Sequence, residues 1–305
     1  MRALIVTNMY PSTQRPALGS FVADQVAALR RTGEADVEVF AFAPGGYVAG
    51  ARALRSRHGR DRFDVVHAHF GLTQWPALAA RARARAVTLH GTDLVHARSR
   101  PVTLAGLRIN DLVAVVSEPM AAAIPGWAVR GRPAVLPAGV DVERFAPIER
   151  ADARRELGLE PEQPYLLFAA DPARPEKRYD RALSVAGDVP LLSLGDVAPE
   201  QVPLWVNAAN AVLVPSEREG FGLAVLEALA CDVPVLATPV GVHPEALAGV
   251  AGTLCAPFDA AVWGAALAPH LAESDPRVSG RERAEMWSTD RMAVRVIEAW
   301  RSVLR

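Results

Sequence analysis

Two doubly wound α/β domains of Rossmann type, each a parallel sheet covered by helices, are predicted for this chain of 305 residues. Three observations carry the prediction. Short apolar runs alternate with helical stretches, the alternation restarts after residues 138–147, and residues 215–239 spell strand, glycine turn, helix, strand. Length alone sets a prior of about two domains.

The first series of strands is expected at residues 3–7, 37–41, 65–68, 86–89, 112–116 and 134–136. Several of these runs lack alternation, as strands covered on both faces do. Helices are expected between them, for example over residues 20–31 and 73–83. The second series runs through residues 165–169, 191–194, 211–214, 233–237 and 252–255. Residues 289–305 read as an amphipathic helix with Met292, Val296, Ala299 and Val303 on one face. The division expected is 1–142, 143–288 and the terminal helix 289–305.

Composition bounds the function. Half of the residues are apolar and 22% are charged, which fits a globular protein with substantial cores. Residues 3–6 are too short an apolar run for an export signal, and no stretch is long enough to cross a bilayer. Cys231 and Cys255 form neither a C-x-x-C pair nor a disulfide framework, so a cytoplasmic, reducing location is expected. Charge is uneven: residues 1–145 carry 18 arginines against 11 carboxylates, and the remainder 15 basic against 23 acidic residues. Arg52, Arg55, Arg57, Arg60 and Arg62, with Arg81, Arg83 and Arg85, hold much of the excess. This surface fits peripheral contact with an anionic membrane at its inner face, an acidic acceptor, or simply a solvated face. No nucleic-acid partner is expected.

Residues 215–239 are the most informative segment. Glu219 and Glu227 bracket seven residues, with Gly220 and Gly222 flanking Phe221 at the turn and a helix opening at Leu223. Wholly helical spacing would separate the glutamates by about 12 Å along the axis, beyond the hydrolase carboxylate pair at about 5–9.5 Å. Two ends of one elongated ligand suit them better. The helix N-terminus favours an anionic group such as a diphosphate, and Glu227 is placed to accept hydrogen bonds from vicinal hydroxyls, as acidic residues do from a ribose.

The segment resembles the E-x7-E signature of family-4 retaining glycosyltransferases, which have the GT-B architecture of two Rossmann-like domains facing across a cleft. The resemblance implies that Glu219 contacts a donor sugar, that Glu227 holds the nucleotide ribose, and that the backbone of Gly220, Phe221, Gly222 and Leu223 binds sugar and diphosphate. It also implies an N-terminal acceptor domain, a C-terminal donor domain, and a last helix that returns to the first.

Lys177 is the single lysine beside 32 arginines and stands at a helix start after the strand at 165–169, where an ammonium can meet phosphate. A surface lysine is the plain alternative. The resemblance implies a second cation five residues earlier; Pro172 stands there, and Arg174 is the candidate substitute. His90 ends a strand in TLHGTD and matches the family histidine that touches sugar and leaving phosphate; a purely structural histidine is the other reading. Gly19 matches the small residue that lets the first helix approach phosphate. His69 and Asp93 are acceptor-side candidates by position.

His67 and His69, two apart on a strand, point to one face and raise a metal-hydrolase reading. The other histidines do not complete such a set, and no D-x-D pair is present, so neither metal nor cofactor is expected. The function implied is transfer of a sugar, with retention, from a nucleoside-diphosphate-sugar donor to a hydroxyl acceptor of unknown identity. A catalytically inactive nucleotide-sugar-binding partner subunit is the alternative. The connection 42–63 is expected to leave little room for an elaborate acceptor pocket.

Overall fold

The computed structural model describes residues 1–195 and 197–305. In the sequence, the backbone around residues 194–197 is the candidate for reading a nucleotide base, and Asp196 among them lies outside the described residues. The chain divides into two compact units, Met1–Gly139 with Thr289–Arg305, and Val140–Ser288. Residues from Val140 onward go with the second unit because its chain bonds to them. The Val140 N–H donates to Trp287 O at 2.8 Å, and the Arg281 guanidinium reaches the carbonyls of Val142 and Phe145.

In the first unit, β1 (Arg2–Thr7), β2 (Asp36–Ala41), β3 (Arg62–His69), β4 (Arg81–Leu89), β5 (Leu112–Val115) and β6 (Ala134–Val135) form one parallel sheet. Its order is β2-β1-β3-β4-β5-β6, which reverses direction between β1 and β3. Register aligns Thr7 with His69 and His69 with Thr88, so the carboxyl ends of β1, β3 and β4 form one edge. Open parallel sheets bind ligands at such an edge.

Helix Ser20–Arg31 buries Val22, Val26, Ala28 and Leu29 on the sheet. The final helix, Thr289–Leu304, packs into the same core with Met292, Ala293, Val296, Ile297 and Trp300. The buried face therefore centres on Ile297 and Trp300, and the expected Ala299 and Val303 lie at its margin, partly buried.

Two local expectations are corrected. No helix spans residues 73–83: a short one, Gln74–Ala77, follows the turn Gly71–Thr73, and β4 already begins at Arg81. The run RARARA suits a helix by propensity, yet it pairs with β3 from Arg62 onward, and Arg85 donates to the carbonyls of Ala77 and Ala80. Tertiary pairing overrides the local preference. The connection 42–63 carries the helix Tyr47–His58.

The second unit holds β7 (Leu166–Phe168), β8 (Leu191–Ser193), β9 (Ala211–Val214), β10 (Val235–Ala237) and β11 (Leu254–Cys255), all parallel, in the order β11-β10-β9-β7-β8. Here the order reverses between β7 and β9. Its core gathers Leu166, Phe168, Leu213, Leu236 and Trp263. Two buried guanidiniums brace the segment entering β9: Arg150 donates to Ala209 O, and Arg154 to Ala208 O and Asn210 Oδ1. Burial pushes Arg150 down to about 9, and Asp275 beside it opposes the shift.

Candidate active site

The reversal between β7 and β9 brings together two loops that are 42 residues apart in sequence. Lys177 Nζ donates to both carboxylate oxygens of Glu219, each at 2.7 Å. The two side chains are only 14% and 9% exposed, so this is a largely desolvated pair. Ser216 Oγ donates to Glu219 Oε1 at 2.7 Å, and the Glu217 N–H donates to Glu176 O at 2.9 Å, tying one loop to the other. An ammonium has three N–H groups; two serve Glu219 and one is left for a ligand.

The helix Leu223–Ala230 follows, with Gly222 at its N-cap and no side chain capping it. Gly222 has φ 105°, and a Cβ there would stand 2.4 Å from His243 Nε2. Leu223, Ala224 and Glu227 form the partly exposed stripe of this helix, while Val225, Leu226 and Ala228 to Ala230 are buried. Glu227 thus lies one turn along the stripe that starts at the open N-terminus. Phe221 is buried beneath the turn, and Gly220 precedes it.

His243, which no sequence motif marks, stands against this turn. It is fully buried, and its Nδ1–H donates to Thr238 O at 2.8 Å. That bond leaves Nε2 a bare acceptor, without a partner among the described residues and turned toward Gly222. Burial lowers its pKa, with Lys177 acting in the same direction and Glu219 against it. No spacing rule would have found this contact, which the helix His243–Leu247 following β10 makes with its first residue.

Arg174 is not free. Its Nε and Nη2 donate to Glu176 Oε1 at 3.0 and 2.8 Å, and its side chain is 54% exposed.

In the first unit, His90 stands just past β4, half-buried, with the Phe21 ring 4.9 Å away. Gly19 lets the start of this unit's first helix pass close to the Met9 carbonyl. It has φ 68° at the N-cap of Ser20–Arg31, and a Cβ there would stand 2.3 Å from Met9 O. His69 and His90 stack at 5.2 Å and 17°, and His69 Nδ1 lies 3.1 Å from His90 Nε2. Asp93 accepts from the N–H groups of His90 and Gly71, at 2.6 and 2.5 Å. Both His69 and Asp93 are fully buried, so they position the His90 loop rather than face an acceptor.

His67 is committed on both sides. Trp300 Nε1–H donates to its Nδ1 at 3.1 Å, so the proton sits on Nε2, 2.8 Å from Thr88 Oγ1. Burial holds His67 and His90 well below the usual histidine range, with the neighbouring histidines adding to it, and pushes His69 down to about 4. All three are neutral at pH 7. Burial in turn raises the Asp93 carboxyl, against the backbone N–H groups of Gly71, His90, Asp93 and Gly91.

On the same carboxyl edge lies a cavity of about 380 Å³ whose walls include Tyr47, Leu72, Trp75 and Val102. Tyr47, from the connection 42–63, is one of its walls. Among the described residues, no group of three or more His, Cys, Asp or Glu is placed to hold a metal ion, and no helix is long and apolar enough to cross a membrane.

Residues 15–144 match the family described as Glycosyltransferase Family 4, and residues 161–273 match Glycosyl transferases group 1. The chain is 27% identical over 313 aligned positions to a D-inositol 3-phosphate glycosyltransferase of Geodermatophilus obscurus, covering 83% of this chain and 70% of that protein. It is 29% identical over 297 positions to the Actinosynnema mirum protein of the same name, covering 75% and 70%. Among solved structures, sucrose-phosphate synthase from Thermosynechococcus elongatus aligns with TM-score 0.74 at 19% identity, covering 99% of both chains. This chain is a GT-B-fold relative of the family-4 nucleotide-sugar glycosyltransferases. Anabaena HepE, solved with UDP and glucose, shares the fold at TM-score 0.72 and 15% identity, covering 98% of this chain and 99% of that one. AviGT4, a glycosyltransferase of avilamycin A biosynthesis, does so at 0.67 and 20%, covering 99% and 98%. The relationship is to sugar-transferring enzymes, which supports a catalytic function.

Proposed function

We propose that the chain is a retaining glycosyltransferase that moves a sugar from a nucleoside diphosphate to a hydroxyl acceptor, with the second unit holding the donor and the first the acceptor. The observation that carries this reading is the Lys177–Glu219 pair set beside the uncapped helix opening at Gly222. The remaining N–H of Lys177 and the helix N-terminus would receive the diphosphate, Glu227 the ribose hydroxyls, and Glu219 the sugar. Because Glu219 neutralises Lys177, the field on the phosphate depends on the helix N-terminus as well.

In the reaction, the bond from the anomeric carbon to the β-phosphate oxygen breaks and a bond to the acceptor oxygen forms on the same face. The departing phosphate takes the acceptor's proton. Preorganised donors at the developing phosphate charge supply the stabilisation. His90, neutral and oriented by His69 and Asp93, would hydrogen-bond the sugar. The arginine-rich first unit fits an anionic acceptor or leaflet, and the relatives' name puts D-inositol 3-phosphate in the acceptor panel beside anions with an apolar body.

A donor-binding subunit without transfer is the second reading. It is favoured by Pro172 at the family's arginine position and by the commitment of Arg174 to Glu176. The test is a turnover assay across UDP, GDP and ADP sugars with an acceptor panel, reading product anomeric configuration by NMR. An α-linked product from an α-linked donor supports the proposal. Inverted product would contradict retention, and bound donor without any transfer would favour the subunit reading.

A further inference from the structure

We infer that the cavity walled by Tyr47, Leu72, Trp75 and Val102 is an acceptor site built for an anionic amphiphile: a hydroxyl compound whose apolar body fills the cavity while its anionic group meets Arg98. Calling the ligand an acceptor rests on the transferase reading; the ligand's chemistry rests on the cavity itself. At about 380 Å³ the space falls within the roughly 300–1,000 Å³ of small-molecule sites.

The walls are apolar and held in place. Trp75 is 37% and Val102 46% exposed, and the Trp75 indole N–H donates to Val102 O at 3.3 Å, which spends its polar atom internally and fixes the ring as a wall. Val48 and Val95, 67% and 56% exposed, neighbour Tyr47 and His96 in sequence, so exposed apolar side chains concentrate in these segments. A wholly polar polyol would leave hydroxyls unpaired against such walls, at about 1–3 kcal/mol for each group. An alkyl, aryl or alicyclic body suits them.

The rim supplies the charge. Arg98 is exposed and makes no ion pair among the described residues, in contrast to Arg174, Arg178 and Arg150. His96 beside it accepts from the Ser99 N–H through Nδ1 at 3.3 Å. Position connects the cavity to the candidate active site. Leu72 stands three residues past His69, and His96 six past His90, on the loops that Asp93 clamps. The Asp93 charge also reaches Tyr47, whose hydroxyl accepts from Asn8 Nδ2, just beyond β1.

Calorimetric titration of the full chain with 2-naphthyl phosphate, 2-naphthol and inorganic phosphate tests the inference, beside UDP, GDP and ADP as the donor-site probes. The expected result is 2-naphthyl phosphate binding at least about tenfold tighter than either half alone. Trp75→Ala should weaken it about tenfold or more, Arg98→Ala should reduce it to the level of 2-naphthol, and nucleotide affinity should stay unchanged in both. Both changes are on the surface, and Val102→Ser gives a further check on the wall. Binding no tighter than inorganic phosphate, or an affinity unchanged in all three variants, would overturn the site. Failure of UDP, GDP and ADP all to bind while 2-naphthyl phosphate binds as expected would overturn the transferase reading and uphold the cavity as an amphiphile site.

Discussion

Lys177 and Glu219 act as one unit, because removing either leaves the other a largely desolvated charge without its counter-ion. Lys177→Ala is expected to lower kcat by about 10²–10³, the cost of one preorganised donor at a charged transition state, with a smaller change in donor KM, checked by steady-state kinetics. Glu227→Ala belongs to the ground state. Losing a charged acceptor for ribose hydroxyls, at about 1.5–3 kcal/mol per bond, should weaken nucleotide binding by roughly ten- to a hundredfold while kcat at saturating donor falls less. The residue types of this candidate site were legible in the sequence: a lone lysine and two glutamates about a glycine turn. Their contacts were not, since a 42-residue separation is closed only by the strand order. His243 carried no sequence signal at all, because its meaning lies in an Nε2 turned toward Gly222.

At the scale of elements, the final helix does more than cover a sheet. Trp300 fills the core and also donates to His67, so the two roles can be separated. Trp300→Phe keeps most of the packing but strands His67 Nδ1, and should cost about 1–3 kcal/mol. Trp300→Ala should cost about 3–5 kcal/mol, with both read from urea unfolding. Gly19→Ala forces a side chain into left-handed backbone against the Met9 carbonyl, and a loss of about 1–3 kcal/mol is expected from the strain alone. The apolar strands were readable because burial on both faces leaves uninterrupted Val, Leu and Ala. Helix Tyr47–His58 was not, as Gly50 and the three arginines Arg52, Arg55 and Arg57 blur its amphipathic pattern. The first half of β4 misled for the opposite reason: Arg and Ala are good helix formers, and only pairing with β3 makes them a strand.

Across the whole molecule, acid stability should differ between the two units. His67, His69 and His90 lie in the first unit with folded pKa values below the unfolded value of about 6.5. The unfolded chain therefore binds more protons, and the stability these groups contribute is present above about pH 6.5 and is lost as pH falls toward 4. With a folded value of about 4, His69 alone accounts for roughly 3 kcal/mol of that loss by pH 4. Asp93, raised by burial, works in the opposite sense, but only near the carboxylate range. The second unit contributes one such histidine, His243. Thermal unfolding followed from pH 7.5 to 5 should show the first unit losing stability faster; parallel loss in both units would contradict the neutral histidine cluster. The two-unit plan itself was legible from the restart of strand alternation near residue 140, while the returning final helix was expected from resemblance alone.

The most direct test of the central claim is calorimetric titration of the purified protein with UDP, GDP and ADP and their sugar conjugates, without added metal, beside Glu227→Ala. The account predicts that one nucleotide binds selectively and that the variant weakens this binding by at least about tenfold. No binding by any nucleotide, or equal binding in the variant, would contradict a donor site at the Gly222 helix.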